Sequence, residues 1–462
     1  MFSADIYIER RNRLRADIRS GLILFIGNEE SPMNYAGNAY SFRQDSSFLY
    51  FFGLDKPGLV AVIDVDEGTE TVFGDDLTID DIVWTGPRPS LHEISLKTGI
   101  SKTEPKNKLK STIDKARGRN RTINFLPQYR LENTLMLSEL LGISPAEVPE
   151  HVSEALIRSV VAQRSKKTPE EIEQLEEAIG ICREMQVAAM EKARPGMYER
   201  EIAGIMEGIA VLKGVRLAFP TIFSIHGETL HNIGCENLMK EGDIAVNDSG
   251  AESPMHYAGD ITRTIPIGGK FSQQQREIYR IVLKAQETAI AAIKPGIEFR
   301  QVHRLACVTL LSGLKELGFI KASPEEAVEA GAHTLFFQCG LGHMLGLDVH
   351  DMEALGEEFV GYTDKIKRKM EFGWQWLRLA KALETGYVIT VEPGIYFIPA
   401  LIDRWKAERK FSEFVNYERL EKYRSFGGIR IEDDILVTGD GCRILGPGIP
   451  KRIDEVEAIT SQ

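Results

Sequence analysis

Asp248, Asp260, His343, Glu392 and Glu432 are five potential metal-binding side chains in the second half of the chain, each in a segment that reads as a strand or a tight turn. Four carboxylates and one imidazole are too rich in oxygen for a structural zinc site, which draws on thiolate and imidazole donors. They are also too many acids to bury without a cation. Together they point to a two-metal hydrolytic centre. Two ions about 3.5–4 Å apart would hold a bridging hydroxide, polarise a carbonyl and stabilise a tetrahedral intermediate. The donor set favours Mn2+, Fe2+ or Co2+ over a thiolate-type zinc site, and leaves the metal's identity open, Zn2+ included. No rival constellation is present: there is no GxSxG, HExxH, Walker loop or strand-linked GxGxxG.

The segments around these residues must bring them together. Ile244–Gly250 and Tyr257–Thr264 read as two strands joined by a turn at Glu252-Ser253-Pro254. Paired strands lie about 5 Å apart, which would let Asp248 and Asp260 reach one pair of ions. An Asp beside a turn can equally be a turn former or a helix cap. Gly340–His350 is glycine-rich and nearly uncharged, with imidazoles at His343 and His350. Glycine there allows close approach of the backbone, although a buried histidine can also be an ordinary hydrogen-bonded core residue. Val388–Tyr396 sets Glu392 in an apolar run, and Gly427–Ile435 puts Glu432 on the strand face that Arg430 occupies. The alternative for that last pair is an Arg430–Glu432 salt bridge.

Length and composition frame the site. At 462 residues the chain should hold two or three domains. Hydrophobic content of 43% and aromatic content of 8% are those of a folded globular protein. A net charge of -12 argues against a nucleic-acid partner. The stretch Met1–Arg11 lacks the apolar core of a signal peptide, and no run of eighteen apolar residues predicts a membrane span. Five scattered cysteines without a CxxC read as reduced thiols in a cytoplasmic protein.

Apolar runs at 22–26 and 59–63 predict buried strands of an α/β unit, followed by helices over 130–141 and 146–163. Thr168-Pro169-Glu170-Glu171 then opens a long helix, with Thr168 as N-cap and Glu171 as its reciprocal acid. The boundary falls just before it, giving domains 1–163 and 164–462. Pro195-Gly196 between two helices is echoed by Pro295-Gly296 between helices 273–293 and 298–317. That echo implies either a duplicated helix–turn–helix–strand unit, with a site at the junction of its halves, or a chance recurrence of the turn.

At these segments the sequence resembles the proline-specific pita-bread metallopeptidases, the family of aminopeptidase P and prolidase. The resemblance rests on Asp248-Ser249-Gly250, Asp260–Thr264, Gly340–Asp351, Thr390–Gly394 and Arg430–Asp433, in family order; Tyr40–Phe48 and Tyr50–Gly53 resemble the N-terminal domain of aminopeptidase P. It implies an α/β (α+β) architecture, with a creatinase-like N-terminal domain before a duplicated catalytic domain. It implies that Asp248 binds one metal, that Asp260 and Glu432 bridge two divalent ions (Mn2+ first), and that His343 and Glu392 complete the second. Glu392 would also take a proton from the attacking water. His231 and His350 would contact substrate at the scissile amide, and Arg430 would orient His350 or the substrate. The implied substrates are peptides with proline second, or Xaa-Pro dipeptides alone if the pocket closes beyond proline; a homodimer is expected.

Three departures bear on this reading. Cys339 stands where the family has a histidine lining the pocket, which should alter substrate fit more than metal binding. The Asp248–Asp260 interval is longer than usual, with the extra residue expected in the Ser253-Pro254 turn. Residues 357–381, with their basic run and Phe372, Trp374 and Trp376, are expected to form a surface helix or else a lid or subunit contact. An inactive binding scaffold is disfavoured, because all five candidate ligands are retained.

Overall fold

Both apolar runs become neighbouring central strands of one sheet in a computed structural model that describes residues 1–462. The chain divides into two units, Met1–Arg164 with Glu353–Phe359, and Ser165–Met352 with Val360–Gln462. The strands of the first unit are β1 (Leu22–Ile26), β2 (Pro32–Tyr35), β3 (Asn38–Ala39), β4 (Val60–Asp64), β5 (Thr69–Phe73), β6 (Thr103–Glu104) and β7 (Ile123–Phe125). Five of them form a mixed sheet in the order β6-β5-β4-β1-β7, while β2 and β3 pair separately. All five residues of β1 are buried, as a strand flanked on both sides and covered on both faces must be. Asp45 caps the helix Ser46–Phe52 by accepting from Phe48 N at 2.8 Å. The helix then lays Phe51 and Phe52 against Phe25 of β1.

The helix expected over 146–163 is two elements, a 3-10 turn Val148–His151 and a helix Glu154–Ser165. Pro149 cannot donate to a continuous helix, and Ser153 restarts the chain by accepting from Leu156 N through its hydroxyl.

In the second unit the helix Pro169–Lys192 begins where its capping residues predict. Glu171 Oε2 accepts from Thr168 N at 3.0 Å, but Thr168 Oγ1 is buried without a partner, so the reciprocal half of the box is open. The echo is a true repeat. Helices Pro169–Lys192 and Glu199–Leu212 recur as Gln273–Ala292 and Phe299–Glu316. Each Pro-Gly turn is tied down in the same way: Gly196 N donates to Met239 O and Gly296 N to Leu383 O, with bridges Tyr198–Leu238 and Glu298–Ala382 beside them.

Each helix pair leads into a three-stranded sheet. The first sheet joins β8 (Ile222–Ser224), β9 (Ile244–Ser249) and β10 (Ile261–Pro266) in the order β10-β9-β8. In the second half, β11 (Val388–Val391), β12 (Gly394–Tyr396), β13 (Gly428–Arg430), β14 (Asp433–Val437) and β15 (Cys442–Ile444) give a sheet β11-β14-β15 and a β12-β13 ribbon.

Residues 357–381 do not form the expected helix. Only Glu357–Val360 is helical, and Trp374–Trp376 is a single 3-10 turn. The reason is local: Gly361 abuts Arg378 O, at 1.8 Å from where a Cβ would stand, and its carbonyl accepts from both Ala380 N and Lys381 N. The chain there doubles back on itself. No helix is long and apolar enough to cross a membrane.

Candidate metal centre

β9 and β10 pair antiparallel, with Asp248 opposite Thr262. β10 starts at Ile261, later than expected, because Ala258 N donates to Gly346 O and Asp260 N to Asp434 Oδ2 at 3.0 Å rather than continuing the ladder. Asp260 therefore occupies the approach to the strand, turned toward the second half of the repeat. The connection closes tightly: Ser253 N donates to Tyr257 O, and His256 adopts φ 68°.

His343 enters from a stretch whose glycines are required sterically. A Cβ on Gly342 would stand 1.9 Å from Thr390 O, so the backbone can ride on β11 only as glycine. His343 N donates to Thr390 Oγ1 at 3.2 Å, and His343 Nδ1 faces Met344 O at 3.0 Å. That contact fixes the tautomer and leaves Nε2 toward the acids, 3.4 Å from Asp260 Oδ2 and 3.7 Å from Glu392 Oε1. Glu392 follows β11 directly. Glu432 lies in the break between β13 and β14, and its Oε2 accepts from Thr262 Oγ1 at 2.7 Å.

Asp260, His343 and Glu432 each bring one donor atom within 4.8 Å of the others. All nine residues singled out in the sequence (His231, Asp248, Asp260, Cys339, His343, His350, Glu392, Arg430 and Glu432) line one cavity of about 340 Å³. The His350 ring stands 4.5 Å from that of His343, edge to face.

The electrostatics are those of a site built around positive charge. Burial pushes Asp248 up to about 6 and Glu392 up to about 7, and lifts Glu432 and Asp434 well above the usual carboxylate range; their mutual repulsion adds to it. One oxygen each of Asp248, Glu432 and Asp434 is buried without a hydrogen-bond donor. Burial alone would lower His343, but the Asp260 hydrogen bond and the Glu392 charge raise it. Partial burial and the charges of Arg430 and Arg378 hold His231 down. Burial and the Glu392 charge push the Cys339 thiol up to about 12, so it stays protonated at neutral pH and is less prone to oxidation than an activated thiolate.

Arg430 does not pair with Glu432. Its guanidinium binds Asp248 in a short ion pair, Thr262 Oγ1 at 3.1 Å and Tyr396 Oη at 3.1 Å. Sequence reasoning assigned no role to Thr262, which links the arginine to Glu432, to Tyr396, which accepts from the arginine, or to Asp434, which holds Asp260 through its backbone. Asp434 was visible as the third acid of Glu432-Asp433-Asp434; nothing local marked the other two. The apolar wall of Phe219, Pro220, Ile222, Leu230, Ile233 and Val349 was likewise unmarked.

Comparison with known proteins gives concordant matches. Residues 173–439 match the model for metallopeptidase family M24, and residues 7–124 the model for the aminopeptidase P N-terminal domain. The Xaa-Pro dipeptidase of Homo sapiens is 32% identical over 462 residues, covering 97% of this chain and 90% of that protein. The Xaa-Pro aminopeptidase of Escherichia coli K12 is 31% identical over 465 residues, covering 97% and 96%. A zinc-substituted E. coli aminopeptidase P in complex with product superposes with a TM-score of 0.82 at 30% identity, covering 99% of this chain and 98% of that one.

Proposed function

The chain belongs to metallopeptidase family M24, and on that premise we propose that it removes the N-terminal residue from peptides with proline second, using two divalent ions, Mn2+ first among them. An aminopeptidase P-type domain (residues 1–163 in this proposal) precedes a duplicated pita-bread domain, residues 164–462. The observation that carries the proposal is the meeting of Asp248, Asp260, His343, Glu392 and Glu432 in one cavity, with buried carboxylate oxygens that no donor satisfies. Such a donor set fits divalent cations, which would supply the missing positive charge, activate water and polarise the scissile carbonyl.

In this scheme Asp248 would help hold one ion, His343 and Glu392 the other, and Asp260 and Glu432 would serve both. Glu392 keeps 19% of its side chain exposed, against 7% for Asp260 and 12% for Asp248, and is the acid placed to take the proton of the attacking water. His231 and His350 face the same space and serve the scissile amide. Arg430 positions Asp248. The apolar wall accepts the proline ring, whose tertiary amide offers no N–H to an ordinary protease. A cytoplasmic homodimer is the proposed setting, in keeping with five free cysteines.

A second reading, a dipeptidase confined to Xaa-Pro, is favoured by one observation. Arg378 lies close enough to His231 to depress its pKa, and a guanidinium there would pair with the free carboxylate of a C-terminal proline. The deciding experiment is hydrolysis of Ala-Pro beside Ala-Pro-Ala by metal-stripped protein resupplied with Mn2+. Release of alanine from the tripeptide supports the aminopeptidase. Cleavage of Ala-Pro alone, weakened by Arg378→Leu through KM, supports the dipeptidase. Cleavage of neither by the reloaded protein refutes both.

A further inference from the structure

A second cluster of metal-ligand side chains lies outside the cavity. His303 and Cys307 sit one turn apart on the same face of the helix Phe299–Glu316, and His333 comes from the 3-10 turn Ala332–Leu335. A donor atom from each falls within 4.8 Å of the other two. The residues are 2%, 0% and 1% exposed. The hydrolytic scheme uses none of them.

His303 Nε2 stands 3.5 Å from Cys307 Sγ. Nitrogen and sulfur bound to one three-coordinate ion at about 2.0 and 2.3 Å would stand about 3.7 Å apart, so this pair is already near ligand spacing. An S–H···N contact would give the same distance, and the spacing alone does not decide between them. His333 does. Its Nδ1 is buried without a partner. A buried ring nitrogen that no protein group satisfies, within reach of a second imidazole and a thiol, is available to an ion. His303 Nδ1, on the side of the ring away from Cys307, is also buried and unpartnered, and an orphaned buried nitrogen is costly. Trp374 stands edge-on to both rings at 5.2 and 5.3 Å, with Phe337 5.7 Å from His303. Burial holds His303 down to about 3 and His333 to about 4, so both are neutral, as ligands must be.

We propose that His303, Cys307 and His333 form a further metal site, separate from the hydrolytic centre, that takes one Cu(I) ion through two imidazole nitrogens and one thiolate. Binding breaks the Cys307 S–H bond, releases one proton to solvent and forms a metal–sulfur bond from the sulfur lone pair; no electron is transferred. Charge selects the ion. Two neutral imidazoles and one thiolate carry -1, which a monovalent cation cancels, whereas Zn2+ would leave a positive charge among aromatic walls. The charged neighbours do not correct that excess: Lys369 and Glu329 act on His333 with opposite signs, and Glu329 is already paired with Arg304, which acts on Cys307. Thiolate softness suits Cu(I) and Zn2+ alike, so charge is the selecting factor.

The test is an anaerobic Cu(I) titration of the Mn2+-loaded protein against a chromophoric Cu(I) chelator, comparing wild type with Cys307→Ser, His333→Gln and Cys339→Ser. Circular dichroism and thermal melting establish that each variant is folded. Wild type and Cys339→Ser should withdraw one Cu(I) per chain and release one proton. Folded Cys307→Ser or His333→Gln should bind at least about 100-fold more weakly. X-ray absorption at the copper edge should report one sulfur and two nitrogens. No uptake by wild type, or equal uptake by folded Cys307→Ser, overturns the proposal. Should both cluster variants unfold, a wild-type copper spectrum without sulfur overturns it.

Discussion

Lys167 lies just ahead of the helix Pro169–Lys192, and its Nζ is 3.0 Å from Asp351 Oδ2, with 1% of either side chain exposed. Asp351 directly follows His350, and its carboxylate fills the space a Cβ on Gly346 would need, 2.4 Å away. Lys167→Met keeps much of the volume and removes the buried charge that faces Asp351. Breaking such a pair from one side costs about 3–5 kcal/mol. At about 2 °C per kcal/mol for a large unit, Tm should fall by roughly 6–10 °C. In Lys167→Met/Asp351→Leu both charges are gone, and Tm should return to within about 3 °C of wild type. Calorimetry on the two variants measures this directly. Because Asp351 anchors the turn that carries His350, the single variant should also lose about 10-fold or more in kcat/KM on an Xaa-Pro peptide, with metal content unchanged. A single variant melting within 2 °C of wild type would falsify the claim that this pair holds the histidine segment in place.

Other consequences are open to simpler measurements. Asp260→Ala or Glu432→Ala should lose both ions by elemental analysis and at least about 10³-fold in activity; undiminished turnover in either removes the proposed centre. Cys339→His should leave metal content unchanged and alter KM, since the protonated thiol lines the cavity without supplying a donor; a change in bound metal would make Cys339 a ligand. His303 and His333 titrate far below the unfolded value of about 6.5. The unfolded chain therefore takes up protons that the folded chain refuses, so their contribution to stability is complete above about pH 6.5 and declines as pH falls toward 4. Urea titrations at pH 7 and 5 should show a smaller acid loss for His333→Gln than for wild type, and equal losses would contradict the burial argument.

Much of the site was legible because its signals are local. Glycines beside His343, an acid set in the β-branched run Val388–Val391, and the Pro-Gly turns at 195–196 and 295–296 each declare themselves within a few residues. The strands Leu22–Ile26 and Val60–Asp64 did so through apolar composition alone. What escaped depends on distant partners. Arg430 stands two residues from Glu432, which left a salt bridge between them open as the alternative; the hairpin carries Asp248 to the arginine instead. Nothing near Lys167 marked its role, because its partner Asp351 lies far along the chain. The failure at 357–381 was one of emphasis: charged and aromatic residues suggested a surface helix, whereas Gly361 and Gly373 forced the chain to fold back.

The four acids and the imidazole do not come from one half of the repeat. Asp248 and Asp260 ride on the first half, and His343, Glu392 and Glu432 on the second. Once loaded, the proposed centre would be a cross-link that fastens two separately built halves and closes a loop of roughly 180 residues between Asp248 and Glu432. A permanent tie of that span removes about 5 kcal/mol of disorder from the unfolded chain, and any affinity for the ion is added to folding stability by mass action. Metal supply would then govern how long the whole second unit survives in a cell as much as how fast it cuts. Chelation should expose protease-sensitive bonds in helices that never approach the ions.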